Sequence, residues 1–305
     1  MNIVLLSGGV GGARLARGLV DLGEVDLTVV VNVGDDDEDY GLAISPDLDT
    51  VSYTMAGVQG PQGWGLGDDS FTTMHHLSEF GIDTTFQIGD ADLATKLFRT
   101  DMARSGMPLS AITRRIVEVL DIAATVLPAS DDRIRTRVKT ADGHWRSFRE
   151  YFVTRHHQDE VRDLAFDGAT EASPAPGVLE ALDRADAVII GPSNPPLSIW
   201  PILAIPGIAG AIATARRRIA VSPLIDGKAV KGPADRVLLS LGMPPGNEGI
   251  VAAYGGLVDE LVIDQSDASE RGRLTATGTT VHIRDTHLGS REDSRAFASW
   301  LIDLL

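Results

Sequence analysis

Two apolar runs separated by an amphipathic segment, all within the first 34 residues, constrain the fold of this chain most strongly. Residues 3–6 have the pattern of a short buried strand, SGGVGG follows as a turn, and ARLARGLVDLG carries apolar residues at helical spacing up to Gly23. LTVVVNVGDD is a second run, β-branched and uninterrupted, as in parallel sheets covered on both faces. We therefore predict an α/β fold with a Rossmann-like, doubly wound, mostly parallel sheet.

The rest of the chain continues this pattern as one α/β domain, residues 1–305, with a helical and hairpin insertion at 106–165. Helical spacing occurs at 49–56, 71–80, 92–105 and 110–120. Residues 133–155 then alternate like strands around Asp142-Gly143, a strong hairpin signal. After the polar segment DGATEASPAPG come strand patterns in ADAVIIG, RRIAV and LVDELVID and an amphipathic helix at 291–305.

Charge and the absence of cysteine narrow the chemistry. The formal net charge is −16 and the basic runs are short, which argues against a nucleic acid or an anionic membrane as partner. No run approaches the roughly 20 apolar residues of a membrane span, and the apolar start lacks a basic region, so we expect a cytoplasmic protein. Without cysteine, a metal site has only oxygen and imidazole ligands, which favours hard cations.

The turn SGGVGG lies where α/β proteins bind anions. Its glycines are Gly8, Gly9, Gly11 and Gly12, and they let the backbone approach a phosphate at the start of the next helix. The dinucleotide fingerprint is broken, because Arg14 takes the place of its third glycine, and the ending of a Walker loop is absent. The turn therefore predicts phosphate binding, with a purely structural tight turn as the alternative.

Two further loops follow predicted core strands and belong at the same edge of a parallel sheet. GPSNPP, 191–196, offers Ser193 and Asn194, and VSPLIDGKAVKGPA, 221–234, offers Ser222 beside Lys228 and Lys231. Hydroxyl and amide side chains can read a base or a phosphate. Ordinary turn chemistry explains any one such loop, but three loops at equivalent strand ends favour a nucleotide site.

NVGDDDEDYGLAISPDLDT, 32–50, places seven carboxylates in nineteen residues directly after the second strand. The three in the middle are typical of a solvated surface. Asp35 and Asp36 end a buried strand, and Asp47 and Asp49 stand at a helix start, where capping is the rival explanation. If the loop folds back, the two pairs meet beside the glycine turn, and a hard divalent cation, best Mg²⁺, would relieve their repulsion.

Taken in order, these loops resemble the 2-phospho-L-lactate transferase family of deazaflavin coenzyme F-420 biosynthesis. The likeness covers nearly the whole chain and is carried by LSGGVGGARL, VVNVGDD, ISPDLDTVSYTMAG, GDADLATKLFR, LPASDDRIRT, FREYFV, IIGPSNPPLSI, AVSPLIDGKAVKGPA and GLVDELVIDQSD. The resemblance implies that the 5′-hydroxyl of a deazariboflavin attacks the phosphate that bears a three-carbon acid on a guanosine diphosphate donor, and that GMP leaves. The acid would be lactyl, enolpyruvyl or a related group, and the enzyme a homodimer.

The resemblance also implies roles for individual residues. Asp35 and Asp49 would bind Mg²⁺, with Asp36 and Asp47 supporting these ligands, serving as the general base, or capping the helix. Asp49→Asn is then expected to keep the fold and to lose magnesium-dependent turnover. The glycines of the turn would face phosphate. The guanosine part would contact Ser193, Asn194 and Ser222, and the deazaflavin would contact Tyr53, Trp64 and Asp90. For the two aromatic residues, packing is the alternative role.

Two rivals come from other classes of protein. A non-catalytic nucleotide-sugar-binding regulator shares the glycine turn and the acidic loop, but such proteins tend to carry Gly-Gly-Ser-Ser-Gly-Arg where this chain reads DEDYGLAISPDLDT. A dinucleotide-dependent dehydrogenase is opposed by the broken fingerprint and by Asn32, which stands where a ribose-binding acid would be needed. The sequence therefore favours the transferase.

Overall fold

The computed structural model describes all 305 residues, with fourteen strands and twelve α-helices. The strands are β1 (Asn2–Ser7), β2 (Asp26–Val31), β3 (Asp37–Asp39), β4 (Leu42–Ile44), β5 (Thr125–Pro128), β6 (Arg135–Thr140), β7 (Trp145–Ser147), β8 (Val161–Asp167), β9 (Ala187–Ile190), β10 (Arg218–Val221), β11 (Leu224–Ile225), β12 (Lys228–Ala229), β13 (Glu260–Ile263) and β14 (Thr280–Ile283). The α-helices are α1 (Gly9–Leu22), α2 (Pro46–Ala56), α3 (Thr72–Glu79), α4 (Asp92–Arg104), α5 (Leu109–Val119), α6 (Val178–Arg184), α7 (Trp200–Leu203), α8 (Ile208–Ala213), α9 (Ala234–Ser240), α10 (Asn247–Tyr254), α11 (Arg271–Ala276) and α12 (Arg291–Leu304). Two π-helical turns, Glu150–Thr154 and Pro195–Ile199, and the 3₁₀ segment Gln265–Glu270 complete the elements.

Seven strands form one wholly parallel sheet in the order β14-β13-β10-β9-β1-β2-β5. The chain builds outward from β1 to β2 and β5 on one side, and from β9 to β10, β13 and β14 on the other. This confirms the predicted doubly wound sheet. Ligands of such sheets bind at the carboxyl ends of the strands where the winding reverses, which here lies between β1 and β9. The loops after β1, β2, β9 and β10 therefore lie side by side.

The central strands are buried on both faces, as their uninterrupted apolar pattern predicted. Leu5, Val30, Ile189 and Ala220, one from each of the four central strands, have no exposed surface. They belong to one contiguous apolar core that also includes residues of α1, α2 and α12. Helix α1 ends where predicted, because Gly23 adopts the left-handed conformation at φ 67°. The loops of the site are therefore anchored on rigid, packed strands.

Strands β6, β7 and β8 form a separate antiparallel sheet, and its hairpin turns at Asp142-Gly143 as predicted. Residues 150–154 were expected to continue the strand pattern, but they form a π-helical turn. The reason is packing, since Tyr151 is 1% exposed and joins a small core with Val138 and Leu197.

Within 106–165, β5 pairs with β2 in the main sheet, so this range is not one continuous insertion. The division into domains stays a prediction. The sequence patterns also missed β5 and β14, which are the two edge strands of the main sheet. Edge strands have a neighbour on one side only, and these two bury fewer of their four residues than β9, β10 or β13, so they carry a weaker apolar signal.

No helix of the chain combines the length and the apolar character that crossing a bilayer requires. The cytoplasmic location and the homodimer stay predictions.

Candidate active site

The glycine turn packs directly against the loop that follows β9. A Cβ atom at Gly11 would collide with the carbonyl oxygen of Pro192, and one at Gly12 would collide with the hydroxyl groups of Ser7 and Ser193. Close approach of two backbones therefore requires these two glycines. A purely structural tight turn, the alternative that the sequence left open, is therefore enough to explain why Gly11 and Gly12 are glycines. Phosphate binding by the turn stays a prediction.

The other two glycines of the turn meet the acidic loop. The N–H of Gly9, whose φ is +64°, donates to Oδ1 of Asp47 at 2.6 Å, and a Cβ at Gly8 would collide with the same carboxylate. Asp47 thus lies at the N-terminus of α1, where the helix dipole favours a negative charge. The acidic loop folds back to the glycine turn through the hairpin β3–β4, which is the condition that the sequence analysis set for the carboxylates to meet there.

Asp35 and Asp47 form a buried pair of like charge. The Nδ2 group of Asn32 donates to Oδ1 of Asp35 at 3.3 Å and to Oδ2 of Asp47 at 3.0 Å. Burial and the charges of Asp47 and Asp36 raise the pKa of Asp35 well above its ordinary value, and burial raises the pKa of Asp47 to about 6. Neither carboxylate has a salt-bridge partner. The pair is therefore a negative site that a cation would stabilise.

Asp49 differs because its charge is already neutralised. Arg99 binds both carboxylate oxygens, with Nη1 at 3.1 Å from Oδ2, and Nζ of Lys96 lies 2.8 Å from Oδ2. Burial alone would raise the pKa of Asp49, but these two cations hold it below its ordinary value. The predicted metal ligand Asp49 is thus occupied by an internal ion pair in this structure.

The carboxylate of Asp36 is only partly satisfied: one of its oxygens has a hydrogen-bond partner and the other has none. Ser45 donates its hydroxyl to Oδ2 of Asp36 at 3.0 Å, whereas Oδ1 is buried without a hydrogen-bond partner. Burial raises the pKa of Asp36 to about 7, against the opposing charges of Arg135 and Arg99. This carboxylate therefore has a free oxygen and a pKa suited to exchanging a proton near neutral pH.

Capping does not explain the acidic residues at the start of α2. The N-cap position is Ser45 and Pro46 follows it, so the rival explanation for Asp47 and Asp49 is wrong. Of the three acids expected to be solvated, Glu38 is exposed. Asp39 instead forms an ion pair with Arg149 at 2.6 Å.

The residues present fit a single hard cation held by few protein ligands. Nowhere do three or more His, Asp or Glu side chains form a group that could hold a metal ion. Mg²⁺ commonly takes only one or two carboxylates and completes its octahedron with water and substrate phosphate oxygens. The uncompensated pair Asp35 and Asp47 matches that donor set, and the neutralised Asp49 does not.

The residues predicted to contact the deazaflavin are not brought together. Tyr53 is 1% exposed and donates its hydroxyl to Oδ1 of Asp92 at 2.7 Å. Asp90 accepts the N–H groups of Thr72 and Thr73, each at 2.9 Å, at the start of α3. Tyr53 and Asp90 therefore have structural roles in the chain as it stands, and their contact with an acceptor stays a prediction.

Trp64, the third of these residues, is 57% exposed and lies beside the glycine turn. Nζ of Lys231 is 5.1 Å from its ring centroid, and a Cβ at Gly63 would lie 2.8 Å from Val10 of the turn. Burial and the positive charge of Arg14 lower the pKa of Lys231. Two cations, Lys231 and Arg14, are thus close together near the turn, where an anionic ligand would relieve their repulsion.

The predicted nucleotide-reading side chains lie at the same edge of the sheet. The N–H of Gly8 donates to Oγ of Ser193 at 3.2 Å, and Ser222 accepts the N–H of Leu224 at 3.1 Å. Asn194 caps the π-helical turn after β9 by accepting the N–H of Leu197. These contacts use acceptor atoms, so the hydroxyl protons of Ser193 and Ser222, both buried, and the amide N–H groups of Asn194 donate to no partner within the chain.

Two clefts meet at Asp36. The first, which we call the arginine cleft, has a volume of about 230 Å³. Its lining includes three arginines, Arg133, Arg135 and Arg137, and four carboxylates, Asp35, Asp36, Asp37 and Asp167. The second, which we call the apolar cleft, has a volume of about 190 Å³. Its lining includes the apolar residues Ile44, Met107, Leu109 and Ile112 and the charged residues Asp36, Asp37, Arg99, Asp131 and Arg135, so Arg135 lines both clefts.

Sequence reasoning did not single out Asn32, Lys96, Arg99 or Arg135 as members of the site. All four stand in the sequence blocks on which the family resemblance rests, so the blocks contained the signal. The charge alternation of RIRTRVK also indicated that several arginines share one face of a strand.

Comparison with known proteins agrees with the sequence resemblance. A family model described as 2-phospho-L-lactate transferase CofD matches residues 3–295. The phosphoenolpyruvate transferase of Thermobifida fusca is 39% identical over all of this chain and 98% of its own length. The 2-phospho-L-lactate transferase of Methanopyrus kandleri is 41% identical over 96% of this chain and 94% of its own. Overall identity is thus almost equal toward relatives whose names specify different three-carbon acids.

Among solved structures, the protein BH3568 of Bacillus halodurans superposes with a TM-score of 0.67, covering 99% of this chain and 98% of its own. Its sequence identity is 19%, so this likeness shows the fold alone.

Proposed function

The chain belongs to the 2-phospho-L-lactate transferase CofD family, a family of transferases, and on that premise we propose the reaction that it catalyses. It moves a three-carbon phosphoacid group, phospholactyl or enolpyruvyl phosphate, from a guanosine diphosphate donor to the 5′-hydroxyl of 7,8-didemethyl-8-hydroxy-5-deazariboflavin. GMP is released. This reaction belongs to the biosynthesis of the deazaflavin coenzyme.

One observation carries the proposal. The buried pair Asp35 and Asp47 lies without a counter-cation at the N-terminus of α1, in the crevice between β1 and β9 where such sheets bind ligands. We propose that these two carboxylates hold Mg²⁺, and that Asp49 serves instead as the counter-charge of Arg99 and Lys96. When bound, Mg²⁺ would supply charge stabilisation to the phosphoryl group in transfer.

The chain's own residues account for the remaining needs of the transfer. The acceptor oxygen forms a bond to the phosphorus that carries the three-carbon acid, while the bond from that phosphorus to the oxygen of GMP breaks. The bonding electron pair stays on GMP. The unpartnered Oδ1 of Asp36 is placed to take the hydroxyl proton, and Asp36 lines both clefts.

Each substrate has a region of matching chemistry. The guanosine diphosphate is assigned to the loops after β1, β9 and β10, which supply Ser193, Asn194, Ser222 and the cations Arg14 and Lys231. The deazaflavin ring is assigned to the apolar cleft, whose lining includes six hydrophobic residues. The reacting hydroxyl would then approach Asp36, where the apolar and arginine clefts meet.

The test is a turnover assay with deazariboflavin and Mg²⁺, offering the phospholactyl and enolpyruvyl guanosine donors separately and following GMP and product by mass. Asp35→Asn and Asp47→Asn should lose both turnover and calorimetric Mg²⁺ binding. Glu38→Gln removes an exposed carboxylate from the same loop and should retain both. Magnesium-dependent turnover by Asp47→Asn would remove Asp47 from the metal site. A wild-type protein that neither turns over a donor nor binds the deazariboflavin would refute the transferase function.

A further inference from the structure

We propose that the arginine cleft binds the carboxylate of the three-carbon acid on the donor, with Arg135 as its principal contact. This inference rests on the proposed function and deepens it, because it names the group by which the enzyme recognises its donor. The lactyl and enolpyruvyl donors share this carboxylate, which is the second anionic group of the transferred unit after its phosphate.

The placement of the arginines follows from the strand that carries them. Arg135 and Arg137 are separated by one residue on β6, and Arg133 lies two residues before the strand begins. Side chains on a strand point to alternate faces, so Arg135 and Arg137 extend to the same side, and Arg133 lines the arginine cleft with them. The backbone N–H of Thr136 donates to the carbonyl of Gly34 at 2.7 Å, which ties β6 to the acidic loop.

Polar groups in this cleft lack partners, which points to a missing ligand. Nε of Arg135 is buried without a hydrogen-bond partner, and its Nη1 donates only to the carbonyl of Ile134 at 2.7 Å. The hydroxyl of Thr136 is also buried and unpartnered, on a residue that is 1% exposed. Arg137 has a loose ion pair with Asp167 at 3.7 Å, and its Nε donates to the carbonyl of Arg146 at 3.3 Å. Burying an unpaired donor is costly, and a bound anion would remove that cost.

The chemistry of the cleft selects a carboxylate in this place. Arginine presents two parallel N–H donors that match the two oxygens of a carboxylate. The diphosphate of the donor is already assigned to the glycine turn and its cations. Asp35 and Asp36 also line the arginine cleft, so an acid attached directly to the reacting phosphate has only a short distance to cover. Burial and the charge of Arg133 lower the pKa of Arg135, whereas the nearby carboxylates of Asp36, Asp37 and Asp35 act against this shift without coming within salt-bridge distance of the guanidinium group.

The experiment compares the binding of two probes to the full chain in the presence of Mg²⁺. Calorimetry measures the Kd of GDP, which lacks the acid, and of the enolpyruvyl guanosine diphosphate donor, which carries it. Arg135→Gln should weaken donor binding roughly ten- to a hundredfold, the usual effect of one charge-assisted hydrogen-bonded pair, and leave GDP binding unchanged. Arg135→Lys keeps the positive charge but loses the two parallel N–H donors of the guanidinium group, so it should weaken donor binding by an intermediate factor.

The matched control is Lys139→Gln, which removes one positive charge from the same face of β6 at a residue outside the cleft. It should change neither Kd. In turnover, Arg135→Gln should raise the KM for the donor by the same factor and should change kcat less. Near-ultraviolet circular dichroism confirms that the variants are folded.

The outcomes separate this inference from the proposed function. Equal weakening of GDP and donor by Arg135→Gln would make Arg135 a diphosphate contact and overturn the proposal, as would unchanged donor binding. If wild type shows no transfer but prefers the donor to GDP, and Arg135→Gln abolishes that preference, the carboxylate site stands and the transferase function falls. If wild type binds the donor no more tightly than GDP, the carboxylate site is refuted whatever the turnover.

Discussion

Replacing Asp49 by asparagine tests the charge arrangement of the site most directly. The sequence alone led to the expectation that this variant keeps its fold and loses only turnover. The structure leads to a different expectation, because Asp49 is the counter-charge of two buried cations. The side chains of Asp49, Lys96 and Arg99 are 6%, 5% and 3% exposed. Lys96 retains an ion pair with Asp92 in the variant, whereas Arg99 has no other carboxylate in contact.

The expected magnitude follows from this burial. Removing one partner of a buried ion pair typically costs about 3–5 kcal/mol, because the other charge stays buried and unpaired. The whole free energy of unfolding of a domain is about 5–15 kcal/mol. A chain of 305 residues changes its Tm by about 1.6 °C per kcal/mol, so Asp49→Asn should lower the Tm by roughly 5–8 °C.

The pH dependence gives the effect a second signature. Arg99 and Lys96 hold the pKa of Asp49 below its ordinary value, against the effect of burial. Its contribution to stability is therefore complete above the ordinary pKa and is lost as the pH falls through the lower folded-state pKa. The difference in Tm between wild type and Asp49→Asn should be largest near neutral pH and shrink in acid.

The assay is thermal and urea denaturation followed by circular dichroism, with Asp101→Asn on the exposed surface of α4 as the control. Asp101 has no salt bridge, so its variant should match wild type. Adding Arg99→Met to Asp49→Asn removes the unpaired cation and should restore part of the lost stability. An Asp49→Asn protein as stable as wild type at neutral pH would refute the reasoning and return Asp49 to the list of metal ligands.

Three further predictions concern other carboxylates. Asp35→Asn removes a buried carboxyl group whose pKa is raised by burial and by Asp47, so in the absence of Mg²⁺ it should increase the free energy of unfolding near neutral pH, as urea denaturation would show. Asp90→Ala should lower the Tm, since α3 loses its cap, and leave the KM for deazariboflavin unchanged; a raised KM would instead support its predicted acceptor contact. Arg217 donates two hydrogen bonds to the carboxylate of Glu260 and thereby lowers the pKa of Glu260. Glu260→Gln weakens both bonds and should lower the free energy of unfolding by about 2 kcal/mol near neutral pH. In Tm measurements across pH, this last difference should decrease as the pH falls through the lowered pKa, and a constant difference would contradict it.

The sequence by itself determined the scaffold and the position of the site. The apolar runs at 3–6 and 27–31 are buried strands of a parallel sheet, because an uninterrupted β-branched run is stable only when both its faces are covered. Loops after such strands must gather at one edge, so the convergence of the glycine turn, the acidic loop and GPSNPP followed from local patterns alone. Capping by Asp47 or Asp49 was a wrong alternative, since Ser45 already occupies the cap position of α2.

Only the tertiary structure decided what each acidic side chain contacts. Asp47 and Asp49 are two residues apart on α2, and a helix turns by about 200° over that distance, so they face opposite directions. Asp47 meets the glycine turn, and Asp49 meets α4, which supplies Lys96 and Arg99 from about fifty residues further along the chain. No local pattern records which helix will pack on a given face. The pairing of charges, and with it the division between the proposed metal site and the structural ion pair, therefore arises from long-range packing.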